Sequence, residues 1–197
     1  MTYLPDLLGV LAFRARALRA LAERRLFVKG LVCFTLGFLV FALVRNAVYA
    51  SLPEMAADQG GPVRAFFCLN LIQAVLFVSV IYVPAIVLLS NAISGGGRGF
   101  SMTGAEYRSH GSALLPLWGF LLLIVAPLQY FAPQFVVIGV VGISVGMCVL
   151  LALLAAYTLW AIQRLDSLSL IQALGVFCLS WFALPVYYLL TSVYLSD

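Results

Sequence analysis

Charge is what this sequence has least of: its 197 residues include eleven lysines and arginines, seven acids and one histidine. Soluble domains carry roughly 25% charged side chains, against 9% here, while 64% of the chain is hydrophobic. A water-facing globular surface is therefore excluded. The cysteines Cys33, Cys68, Cys148 and Cys178 are far apart, and each is embedded in an apolar stretch. Zinc and redox sites need closer pairs, so these thiols read as small apolar filler. His110 is the only histidine, and the long apolar runs hold no acid or base. Neither a metal centre nor a nucleophile with its base can be assembled from such a set. The expectation is a non-enzymatic protein with no cofactor.

What is present is a series of uncharged runs, 15 residues from Gly30 to Val44, 33 from Ala65 to Gly97, 53 from Gly111 to Gln163 and 30 from Ser167 to Ser196. A hydrocarbon core about 30 Å thick takes roughly 20 helical residues at about 1.5 Å each. As one helix the 53-residue run would be about 80 Å long, so it has to fold back, and Pro127 and Pro133 mark the turn. The reading is an all-α polytopic membrane bundle, residues 26–195, with five spans near 26–44, 65–93, 113–130, 135–162 and 168–195. Lys29 reaches for the interface from the first span, and Pro84 kinks the second.

Nine of the eleven basic residues fall on one side if the N-terminus is cytoplasmic, leaving only Arg45 and Arg64 on the other. The positive-inside rule then predicts a cytoplasmic N-terminus and a C-terminus across the membrane. Tyr49, Trp118, Tyr130, Tyr157, Trp160 and Tyr194 lie near predicted span ends, where an aromatic belt is expected, but Trp181 does not. Residues 1–25 show no convincing cleavage site and read as one short amphipathic helix. Leu4, Leu7, Leu8, Leu11, Leu18 and Leu21 share a broad face, with Arg16, Arg19 and Arg24 mostly opposite and Arg14 and Arg25 interrupting. Arg14, Arg16, Arg19, Arg24 and Arg25 form a basic cytoplasmic face that flanks and packs on the bundle; anionic lipid or a protein partner is the other reading.

Three further patterns have a chemical and a packing interpretation. Gly95, Gly96, Gly97 and Gly99 open the loop before the third span, but a phosphate cradle needs a preceding strand and a lysine; Thr103 with Glu106 reads instead as a helix capping box. Gly142-Ile143-Ser144-Val145-Gly146 matches the G-x-S-x-G nucleophile elbow. Inside a continuous apolar helix that match is accidental, and Gly139, Gly142 and Gly146 become candidates for close helix packing. Asn70, Gln73 and Gln172 are the intramembrane polar candidates, read as interhelical hydrogen-bonding groups, with a transport pathway as the alternative.

The stretch Phe100 to Pro116, with Tyr107, Gly111, Ala113 and Pro116, resembles the short amphipathic helix and following span of the Yip family of five-span membrane proteins. Trp160-Ala161-Ile162-Gln163 through Leu168-Ser169-Leu170-Ile171-Gln172-Ala173-Leu174 resembles that family's connector between its last two spans. The resemblance implies five helices, a cytosolic N-terminus and a C-terminus across the membrane. Eukaryotic members bind Rab-type GTPases through an extended N-terminal region, to which the basic 25 residues here do not correspond, so no residue takes that role. The compact form, with ten arginines to one lysine, is similar to bacterial members and implies a bacterial cytoplasmic membrane. The expected function is a scaffold or accessory subunit for other membrane proteins, the expected partners being those proteins or copies of the chain itself; a small oligomeric transporter or channel is the alternative.

Overall fold

The computed structural model describes residues 3–50, 71–94, 99–131, 135–138 and 141–182. Among them are seven helices: α1 (Tyr3–Leu11), α2 (Ala15–Glu23), α3 (Phe27–Ala50), α4 (Leu71–Ile93), α5 (Gly104–Phe131), α6 (Val145–Leu165) and α7 (Leu170–Trp181). Four of these, α3 to α6, are long and apolar enough to cross a membrane. The chain is a helical integral membrane protein, with α7 as a shorter apolar helix. The predicted fifth span extended to residue 195, and its part beyond residue 182, including Pro185, lies outside the described residues.

α5 is the central pillar. Every residue from His110 to Gly119 is buried, as expected of a helix that is apolar all round. α3 lies along it in the same direction: Phe27 packs by Gly111, Gly30 by Pro116, and Gly37 by Gly119. Gly30, Phe34, Gly37 and Phe41 form the buried stripe of α3, while Val28, Val32, Leu36, Val40 and Leu43 face outward as lipid-facing surface. α6 runs antiparallel to α5, with Thr158 beside Trp118 at one level and Asp166 beside His110 at another. α7 returns against α4, pairing Gln172 with Ile93 and Trp181 with Tyr82.

Local chemistry explains several departures from the sequence reading. The N-terminal segment is two helices, not one. Phe13 takes a left-handed conformation (φ 54°), and the turn closes through the Phe13 N–H to the Val10 carbonyl and the Arg14 N–H to the Gly9 carbonyl. α1 and α2 fold together, Asp6 pairing with Arg24 at 2.6 Å, and Leu7, Val10, Leu18, Leu21 and Ala22 are buried. α5 begins at Gly104 and runs through Pro127 to Phe131, so the surface helix and the third span are one element and Pro127 does not mark the turn; Pro133 lies outside the described residues. Phe135–Ile138 (β1) and Val141–Ser144 (β2) pair antiparallel where the fourth span was expected to begin. Their Val and Ile content favours strand geometry. The open edges of a two-stranded pair are not tolerated against lipid, so the pair needs water or protein around it.

Pro84 acts one turn earlier than a simple kink. Residues Phe77–Tyr82 form a π-helical stretch, in which the Val83 N–H bonds to the Val78 carbonyl. Ser79 thereby loses its usual helical donor, and Pro84, next along, has no N–H to offer. The Tyr107 hydroxyl donates to the Ser79 carbonyl at 2.8 Å and fills the gap. Tyr107→Phe is therefore expected to cost about 1–2 kcal/mol by orphaning a carbonyl, read as earlier unfolding in detergent. Unchanged stability would mean that another donor satisfies Ser79.

Aromatic placement also differs from a simple belt. Trp118 is buried and its indole N–H donates to Thr158 at 2.8 Å, while Tyr157 donates to the Leu11 carbonyl at 2.6 Å. Trp181, the misfit in the sequence, packs edge-on against Tyr82 and Phe177 while remaining exposed on the bundle's surface.

Candidate functional site

Among the described residues, a polar cluster joins the end of α4, the start of α5 and the α6–α7 turn. Thr103 and Glu106 form the capping box: the Thr103 N–H donates to the Glu106 carboxylate at 2.8 Å, and the Glu106 N–H donates to the Thr103 hydroxyl at 3.2 Å. One turn on, His110 is brought to the inner face. Asp166 reaches the same point because Ser167 breaks α6 in a left-handed conformation (φ 53°). A second capping box, Ser169 with Gln172, then starts α7. Asn91 at the end of α4 closes the cluster by donating to the Ser101 carbonyl at 2.7 Å.

His110 is 7% exposed. Its Nε2 lies 2.9 and 3.1 Å from the two Asp166 carboxylate oxygens, and its Nδ1 lies 3.0 Å from the Glu106 carbonyl. Both neighbours are acceptors, so the ring that donates from both nitrogens satisfies both. The neighbouring hydroxyls are committed elsewhere, Ser112 donating to the Arg108 carbonyl and Thr103 to Glu106. This arrangement clamps three helix ends.

The structure separates most of the residues singled out in the sequence. Asn70 and Gly139 lie outside the described residues. Gln73 is half-buried near the start of the described part of α4 and has a partner, whereas Gln172 caps α7 and donates to Ile93 at the other end of α4. Twenty residues of helix, about 30 Å, separate the two glutamines, so they share no site. Gly142 is in β2 and Gly146 in the first turn of α6, so they do not line one helix face. The close helix contact is made instead by Gly30, Gly37, Gly111 and Gly119, which sequence spacing within one helix did not reveal.

The G-x-S-x-G match is not inside a helix: Ser144 ends β2 and Val145 begins α6, a strand-to-helix junction. His110 and Asp166 are at the opposite end of α6, about 30 Å away, so no charge relay reaches Ser144. Among the described residues there is no group of His, Cys, Asp and Glu able to hold a metal ion. Cys33 donates weakly to the Pro116 carbonyl; Cys68 lies outside the described residues. Arg14, Arg16, Arg19, Arg24 and Arg25 are all exposed on the α1–α2 hairpin and its link to α3.

Comparison with known proteins gave no match to a family model, a curated protein or a solved structure.

Proposed function

We propose that this chain is a non-enzymatic scaffold or accessory subunit that offers helix faces to other membrane proteins, with a Yip-like five-span layout whose last span includes α7. The carrying observation is how its interior polar groups are used. Trp118 with Thr158, Tyr107 with Ser79, His110 with Asp166 and Gln172 with Ile93 each join one helix to another. Outward, α3 and α7 present long apolar faces, the latter through Leu170, Ile171, Leu174, Leu179 and Phe182.

The topology that goes with this reading has the α1–α2 hairpin and the His110 cluster on the cytoplasmic side of the membrane, the side on which nine of the eleven basic residues fall. The test is extraction of the tagged chain into native lipid particles, followed by mass spectrometry of whatever copurifies. A second membrane protein at near-equimolar amount is the expected result. Recovery of this chain alone, as a defined oligomer with bound lipid, would overturn the accessory reading in favour of transport or lipid handling.

A further inference from the structure

The α1–α2 hairpin stands upright beside α5 and α6. Its two ends are tied near the His110 level, Asp6 to Arg24 by an ion pair and Phe27, just past α2, against Gly111 and Tyr107. Its tip lies deeper: the Leu11 carbonyl accepts from Tyr157, and the Phe13 ring stacks on Tyr157 at 4.5 Å and meets Trp160 edge-on at 5.3 Å. Tyr157 is nine residues from Asp166 along the same helical run, about 13 Å. α5 becomes continuously apolar from Ala113, with Glu106, Arg108 and His110 above that point. The tip therefore reaches on the order of 10 Å below the level where the bundle turns apolar, the depth at which interfacial helices seat their apolar face.

What the hairpin shows outward fits that position. Near the tip, Phe13 is 51% and Leu8 52% exposed, although Phe13 stacks on buried Tyr157 and Leu8 follows buried Leu7. Arg14 occupies the N-cap position of α2 at the tip, and Arg16 and Arg19 follow, Arg16 opposite buried Leu18, Leu21 and Ala22 and Arg19 on their flank, all three arginines being exposed. The three arginines thus climb from the acyl boundary through the headgroup layer. Residues 3–29 carry six basic side chains and two acids, and one of those acids, Asp6, is engaged by Arg24.

We propose that this hairpin is a binding site for anionic phospholipid in the leaflet on its own side, Phe13 and Leu8 seating among acyl chains and Arg14, Arg16 and Arg19 holding the phosphate groups. Because α1 and α2 are already packed on the bundle, lipid meets a formed surface instead of ordering a free peptide.

The test uses the full chain, purified in detergent and exposed to equal amounts of phosphatidylglycerol and phosphatidylcholine, with retained lipid counted by native mass spectrometry. The wild type is expected to retain phosphatidylglycerol preferentially, and the preference should shrink as salt is raised. Removing one arginine by Arg14→Gln, Arg16→Gln or Arg19→Gln is expected to weaken phosphatidylglycerol binding by up to about fivefold, and the triple variant should bind the two lipids alike. Arg164→Gln, exposed but off the hairpin, should change nothing. Equal retention of both lipids by the wild type overturns the proposal without any variant having to fold. So does a triple variant that keeps the preference, or an equal loss in Arg164→Gln.

Discussion

Gly37→Leu is expected to abolish recovery of folded protein, and Gly37→Ala to destabilise it by about 2–3 kcal/mol, an overpacking cost with no side chain able to move aside. α3 and α5 make the most extensive helix contact among the described residues, and they touch backbone to backbone. A Cβ on Gly37 would lie 2.8 Å from the Gly119 Cα, and one on Gly119 would lie 2.7 Å from the Phe34 Cα. Carbon atoms rest favourably at about 3.5–4.0 Å, so the helices would have to part by on the order of 1 Å along the whole seam. Gly175→Ala is the control, because its added methyl meets only Ile93 at 3.9 Å. It sits inside α7, where alanine is the better helix former, and should be neutral or stabilising by up to about 1 kcal/mol. Thermal unfolding in detergent, followed by size-exclusion of the fluorescently tagged protein, reads all three. A Gly37→Ala protein as stable as the wild type would mean that the seam has slack and that the close approach is not what holds α3 to α5.

This seam shows why part of the fold was legible in the sequence and part was not. Long uncharged runs announce spans because the bilayer imposes a length and a polarity on each helix independently of its neighbours. The Thr103–Glu106 capping box was equally readable, since its partners are three residues apart. Gly30 and Gly37 are seven residues apart and Gly111 and Gly119 eight, and their value lies in meeting one another across some 80 residues of chain. Gly142 and Gly146 had the familiar four-residue spacing, but the β-branched residues before Ser144 pair as a hairpin instead. The split of the N-terminal segment was hidden for a related reason. Its left-handed turn residue is Phe13, not glycine, held there by packing on Tyr157 and Trp160 from far along the chain. His110 and Asp166 do leave a trace in the sequence: Asp166 is the only acid between Glu106 and Asp197, and it stands beside the lone histidine once α5 and α6 are laid antiparallel.

Removing one member of that pair is expected to be costlier than removing both. The two side chains are 9% and 14% exposed, so Asp166→Ala leaves an imidazole with an unanswered Nε2 donor against a sealed helix junction. Breaking a buried pair in this way costs about 3–5 kcal/mol, because desolvation of the survivor is no longer offset. Asp166→Asn should cost less, since the amide oxygen can still accept from the ring. In His110→Leu with Asp166→Ala no charge is stranded, so the double variant should recover part of the loss relative to Asp166→Ala alone. The coupling in that cycle is expected to exceed about 1 kcal/mol, as for residues within one hydrogen-bonded network. Additive losses would instead make each residue's own packing the dominant contribution. The physical logic also accounts for the position of the pair. α5 meets α6 where one helix is just entering its apolar stretch and the other has just left its own, so an ion pair there fixes the vertical register of two smooth apolar helices that would otherwise slide. Loss of register would appear in the Trp118–Thr158 bond two turns further along, and an indole fluorescence shift in Asp166→Ala, absent in the double variant, is the expected signature.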